Sequence, residues 1–174
     1  MFGAPQIAAI LVLAQRGFEE IYSSANTKRL LAEGAREVGA GFYPVVAATH
    51  LGWIASLFLL ISPNANVTWP LLVLYLLLQV ARYWVIGSLG RYWTHRIITL
   101  DGAPIVKRGP YKFMKHPNYV ITLVETFLLP LAFGAWGLAL IMTAIWAAVL
   151  RYKILLEDAA LATRRLPAKD KPAG

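Results

Sequence analysis

The segment KRGPYKFMKHPNYV, residues 107–120, holds four Lys/Arg, two Tyr, two Pro and a His in fourteen positions. Residues 118–150 follow, and Glu125 is the only charged residue among them. Lys107, Arg108, Lys112 and Lys115 can meet lipid headgroups or a substrate. Tyr111 and Tyr119 can belt a membrane interface or wall a pocket. His116 can cap a helix, hold a ligand or move a proton. Pro104, Pro110 and Pro117, with Gly102 and Gly109, break any long helix across residues 88–119, which leaves an ordered loop system. Irregular backbone close to a bilayer needs internal partners or water, and a polar ligand supplies such partners.

The rest of the chain positions this segment at a membrane. Of its 174 residues 58% are hydrophobic, and the apolar runs are long, which excludes the ordinary soluble class. Zero cysteines exclude disulfides, thiolate metal sites and cysteine nucleophiles, and no metal site is expected. Residues 1–16 lack a basic leader and a small-residue cleavage site, so they read as a retained span. The net charge of +8 points to topology rather than to nucleic acid. All 17 Lys/Arg fall in three blocks, residues 16–36, 82–115 and 151–171. By the positive-inside rule these blocks are cytoplasmic, and the uncharged SPNANVT loop at 62–68 faces the other side.

The expected fold is all-α: a polytopic membrane protein with about five transmembrane helices. The first apolar stretch, residues 3–15, extends as a helix through GFEEIYSS. NTKRLLAEGAREVGAGFYP reads as an amphipathic helix, on the membrane surface or solvated. Residues 41–62 and 67–87 form a hairpin of two spans. Residues 118–150 are too long for one span and too short for two full ones, so a tight C-terminal helical hairpin turns near FGAWG, residues 133–137. A cytoplasmic helix is expected from about Arg151, then a flexible tail over 162–174.

Three motifs in order, Gly109-Pro110-Tyr111, His116-Pro117-Asn118-Tyr119, and Lys153 four positions before Glu157-Asp158, resemble the isoprenylcysteine carboxyl methyltransferase family of integral membrane enzymes. The likeness spans about residues 88–161. SLGRYWTHRIITLDGAPIVKRGPY and the N-terminal NTKRLLAEGAREVGAGFYP are also similar to a bacterial branch whose members methylate ring oxygens of alkylpyrones or alkylresorcinols. The resemblance implies S-adenosylmethionine as cofactor, S-adenosylhomocysteine as product, and a lipophilic small-molecule acceptor methylated on oxygen. It implies one domain over 1–174, with N-terminal membrane helices in 1–87 and a cofactor-binding and catalytic core in 88–161. It places the chain in the bacterial inner membrane, with the site facing the cytoplasm and membrane lipids as its neighbours; no protein partner is readable.

By the family pattern, Ala103, Pro104, Ile105 and Val106 line the cofactor through backbone groups. Gly109, Tyr111, His116, Pro117, Asn118 and Tyr119 enclose it, and Glu157 closes the site from the last helix. A sulfonium cation, a ribose and an adenine need an acid, hydrogen-bond donors and aromatic walls, and this set provides them. Ile98 stands where the pattern has a glutamine. Lys153 stands where an arginine that grips the acceptor carboxylate is usual; a lysine cannot make that two-pronged contact, which favours a phenol or enol acceptor.

His116, Glu157 and Lys153 are the candidate catalytic residues, since a phenol with pKa near 10 needs a base or a nearby cation. Lys153, His95, Glu125 and His50 are the candidate acceptor contacts. Glu125, two turns into a membrane helix, and His50, mid-span, read equally well as structural pairs, with Arg82 or Arg91 as the partner of Glu125. His95 and Arg96 also read as plain basic-loop residues. Apolar tails are expected to pass sideways between the 41–87 and 120–150 hairpins. The rival readings are a phospholipid N-methyltransferase, a sterol-reductase-like enzyme and a non-enzymatic membrane scaffold.

Overall fold

Apolar segments in a bilayer must satisfy their backbone groups internally, and this chain does so with helices. The structure, a computed structural model, describes residues 2–165, with side chains through residue 161. It contains α1 (Ala4–Ala32), α2 (Tyr43–Leu60), α3 (Trp69–Leu89), α4 (Pro117–Ala132) and α5 (Trp136–Arg165). Pro5, Pro44, Pro70 and Pro117 all sit in the first turn of their helices, where a missing N–H costs nothing.

Residues Ala40–Leu60, Trp69–Tyr92 and Trp136–Leu161 are long and apolar enough to cross a membrane. Their outer faces expose Leu59, Leu77, Val80 and Ile141, as lipid contact requires. The protein is an all-α integral membrane protein. α4, at 16 residues, spans about 24 Å, less than a hydrocarbon core of about 30 Å. α4 and α5 form the expected hairpin. Gly134, at φ +73°, turns the chain, and the Ala135 amide bonds back to the Pro130 carbonyl at 3.0 Å.

Two expectations are corrected. The amphipathic segment is not one helix. NTKRLLA forms the last turns of α1, where the Glu33 and Ala35 amides fold back onto Leu30, and Arg36–Val38 then forms a short strand, β1. β1 pairs antiparallel with β2 (Ile97–Thr99), Glu37 opposite Ile98. No separate helix starts at Arg151 either. RYKILLEDAAL contains no breaker, so α5 runs unbroken from Trp136 to Arg165. The expected tail over 162–174 begins inside that helix and otherwise lies outside the described residues.

α1 is amphipathic in reverse. Arg16, Glu19, Ser23, Asn26, Thr27 and Leu30 recur at three- and four-residue intervals and are buried, while Leu11, Phe18 and Ile21 are exposed. This polar stripe anchors the loop after α3. Asn26 donates to the Trp93 carbonyl at 2.8 Å, and the His95 amide donates to Ser23 Oγ at 2.7 Å. Ala9, Val12, Trp53, Leu57, Tyr75 and Leu129 pack together in the core, and Val46, Trp146 and Leu150 form a smaller cluster nearer the loops.

Candidate active site

α4 begins abruptly. His116 is its N-cap residue but makes no side-chain cap bond, so its imidazole is left for other contacts. Pro117 sets the first turn, and Asn118 and Tyr119 follow on it. The turn before it, Gly109–Lys112, is strapped to α3: Arg108 Nε donates to the Ser88 carbonyl at 2.6 Å. Gly109 takes φ +54°, and a Cβ there would run into Ser88 Oγ and lie 3.1 Å from Ser88 Cβ. Glycine is thus required by both conformation and space.

α5 brings Lys153 and Glu157, one turn apart on one helix face, back to this corner. The Tyr119 hydroxyl donates to Glu157 Oε2 at 2.6 Å. The His116 ring stacks on the Tyr119 ring with centroids 5.3 Å apart and planes inclined by 10°. His116 Nδ1 is 3.6 Å from Glu157 Oε2, and its Nε2 is 3.7 Å from Asp158 Oδ1. Lys153, only 7% exposed, donates to the His95 carbonyl at 2.8 Å, and its ammonium lies 5.2 Å from the Tyr119 ring centre.

Two hollows meet at this corner. A cleft of about 590 Å³ is lined by Trp93, Ile98, Tyr111, His116 and Glu157. A larger, mainly apolar chamber of about 920 Å³ lies between α1, α2 and α5, with Val46, Leu51 and Trp146 among its walls and His50, His95 and Lys153 among its polar lining. Asn118 and Tyr119 line both.

The cleft is lined by aromatic and polar groups. Tyr111, Tyr119 and Trp93 provide aromatic faces and Glu157 an acid, and two buried polar atoms on its lining residues, His116 Nε2 and Asn118 Oδ1, have no hydrogen-bond partner among the described residues. Burial, and then the Glu157 carboxylate, hold the Tyr111 hydroxyl well above the usual phenol range, so it stays a donor.

Of the residues expected to hold a cofactor, Tyr111, His116, Asn118, Tyr119 and Glu157 line the cleft. Pro117 and Gly109 shape its backbone. The structure does not bring Ala103, Pro104, Ile105 and Val106 to it: Pro104 and Val106 line an adjoining groove with Arg91, Lys107 and Arg108, which shares Leu89 and Tyr92 with the cleft. Ile98, where the family pattern has glutamine, adds an apolar wall.

Of the expected acceptor contacts, Lys153, His95 and His50 line the chamber, His50 edge-on to Trp146 at 4.7 Å. Glu125 does not. It is 1% exposed and closes an ion quartet between α1, α3 and α4, accepting from Arg16 Nη2 at 2.9 Å and Arg82 Nη1 at 3.0 Å. Arg82 also grips Glu19 through Nε at 2.8 Å and Nη2 at 2.7 Å. A carboxylate in a membrane helix is retained through such pairing. Arg91, the other expected partner, pairs with Glu33.

The chamber also contains residues that sequence reasoning did not single out: Arg16 and Glu20 on α1, and Tyr43 on α2. Leu13, Arg16, Gly17 and Glu20 recur at three- and four-residue spacing, and that periodicity marks one face of the first helix. The exposed part of the chamber lining, Leu13 at 48% and Leu51 at 57%, lies on α1 and α2. On the α5 side Trp146 and Leu150 are buried, so the exposed rim of the chamber, its mouth, is formed by α1 and α2.

Residues 71–163 match the profile of the isoprenylcysteine carboxyl methyltransferase (ICMT) family. The chain is similar to YpbQ, an uncharacterized protein of Bacillus subtilis (strain 168), with 35% identity over 159 residues, 89% of this chain and 94% of that protein. It is also similar to an uncharacterized protein of Haemophilus influenzae, with 26% identity over 155 residues, 86% of this chain and 90% of the relative. No solved structure matches.

Proposed function

Because the chain belongs to the isoprenylcysteine carboxyl methyltransferase family of membrane methyltransferases, we propose that it transfers a methyl group from S-adenosylmethionine to an oxygen of a lipophilic acceptor. One observation carries this reading: Asn118 and Tyr119 wall both a polar aromatic cleft and an apolar chamber. Methyl transfer needs a polar donor and a greasy acceptor to meet at one point while water is kept out.

When bound, S-adenosylmethionine supplies an electrophilic methyl group on a sulfonium sulfur. Glu157, His116 and Asn118 would hold its polar parts, and Tyr111 and Tyr119 would face its cationic and ring portions. Lys153 carries three N–H groups and gives one to His95, which leaves donors for an anionic acceptor oxygen. A single ammonium suits a ring oxygen of the alkylpyrone or alkylresorcinol kind better than a prenylcysteine carboxylate, which an arginine grips with two parallel bonds. The basic blocks at the loop end support a site facing the cytoplasm of a bacterial inner membrane.

Calorimetry of the purified, folded chain with S-adenosylhomocysteine tests the cofactor reading, and binding in the micromolar range is expected. Absence of binding at millimolar ligand would overturn it. Labelling a total lipid extract with tritiated methyl donor then identifies the acceptor.

A further inference from the structure

We propose that His95 is the general base that takes the proton from the acceptor hydroxyl, with Glu20 as the positioning residue that sets its tautomer. The inference rests on the methyl-transfer reading above and adds the group that reading lacks.

His95 is held at nearly every polar atom. Its amide donates to Ser23 Oγ at 2.7 Å, its carbonyl accepts from Lys153 Nζ at 2.8 Å, and its ring packs edge-on to Trp93 at 4.7 Å. Nδ1 lies 2.7 Å from Glu20 Oε2, and the other Glu20 oxygen accepts from Ser24 at 2.9 Å. A carboxylate there keeps the ring proton on Nδ1 and leaves Nε2 with a free lone pair. Among the described residues no protein group hydrogen-bonds Nε2. His95, Glu20 and Lys153 all line the acceptor chamber. The arrangement of base, orienting carboxylate and ring wall is the one that proton abstraction needs.

Burial favours the neutral imidazole, the form able to accept a proton. Burial lowers its pKa below the ordinary 6.5; the Glu20 bond opposes this in part, and Lys153 adds to the lowering. Arg16 on α1 and Arg82 on α3 are matched by Glu19 and Glu125, while His50 and Tyr43 from α2 and Tyr119 from α4 complete the ionisable lining.

In the step, Nε2 takes the hydroxyl proton and an oxygen lone pair forms the new O–CH3 bond. The C–S bond breaks with its electrons going to sulfur, giving a methyl ether, S-adenosylhomocysteine and an imidazolium. The imidazolium, beside Glu20, then returns its proton to water.

The test compares 3-pentadecylphenol with a dinitro-substituted analogue of the same tail that is already ionised at neutral pH. His95→Gln lowers kcat on the phenol by about 100-fold and on the ionised acceptor by no more than about threefold. Glu20→Gln shows the same pattern with a loss of about tenfold on the phenol. Equal losses on both acceptors, or no loss on either, would overturn the assignment. S-adenosylhomocysteine affinity, measured alongside, stays at the wild-type value in both variants. Wild-type chain that binds it yet methylates neither phenol overturns the base assignment alone; wild-type chain that fails to bind it overturns the underlying reading as well.

Discussion

The Tyr119 hydroxyl and the Glu157 carboxylate, 38 positions apart in the chain, meet at 2.6 Å and join the first turn of α4 to the sixth turn of α5. Removing the carboxylate therefore strips the cleft of its acid and frees the tyrosine. Glu157→Ala weakens S-adenosylhomocysteine binding by about tenfold or more, in line with loss of a charged hydrogen bond. His116→Ala does the same, because it removes the ring stacked on Tyr119. Both variants insert and elute from detergent columns as wild type. Calorimetry reads the affinity, and wild-type values in both would discard the site.

The C-terminal half of this site was readable because its signals are local. His116-Pro117-Asn118-Tyr119 is a proline-started helix, and Lys153 with Glu157 is a one-turn spacing, so each motif carries its own geometry. Glu20 and Arg16 escaped notice because their meaning is tertiary. In the sequence they belong to a charged stretch that fits solvent equally well, and only the return of the loop after α3 gives Glu20 its histidine. The β1–β2 pair was hidden for the same reason: it joins residues about 60 apart through strands of three residues. Glu125 could be paired from sequence with Arg82, but not with Arg16, 109 positions away.

The ion quartet predicts unequal costs. Arg82→Met leaves Glu19 and Glu125 buried with Arg16 alone, and loss of one partner from a buried pair costs about 3–5 kcal/mol. Glu125→Leu leaves Arg82 still held twice by Glu19 and costs less. The double variant Arg82→Met/Glu125→Leu is less destabilised than the sum of its singles, because the second change removes a charge that the first left exposed to apolar surroundings. Unfolding in detergent, followed by circular dichroism, gives the three values, and additive costs would show that the quartet does not act as a unit.

His95 gives stability a pH dependence of known sign. Its pKa is lowered in the fold, so between that value and the ordinary 6.5 the unfolded chain binds more protons than the folded one. Its contribution is therefore complete above 6.5, and it is lost as pH falls through that window. Thermal unfolding across mildly acidic pH shows wild type losing stability, while His95→Gln has a flatter profile over the same range. Equal slopes in the two proteins would mean that another group titrates.

The chamber mouth predicts a selectivity that depends on tail length. Gly17 lines the chamber on α1, is exposed, and has open space where a Cβ would project. Leu13 and Leu51 flank the same opening, so a long apolar tail leaving the chamber passes beside Gly17. Gly17→Trp puts an indole into that gap, on a residue that does not line the cleft. Replacing a mid-helix glycine by tryptophan also favours the helix, by a few tenths of a kcal/mol, so a loss of activity would not come from a weakened helix. For 3-pentadecylphenol, kcat/KM falls by about tenfold, mainly through KM, since the tail loses apolar contact worth about 0.8 kcal/mol per buried methylene. For 3-methylphenol, whose substituent ends inside the chamber, kcat/KM is unchanged. A matching loss for both acceptors would place the mouth elsewhere, and no loss for the long one would mean that its tail leaves by a different gap.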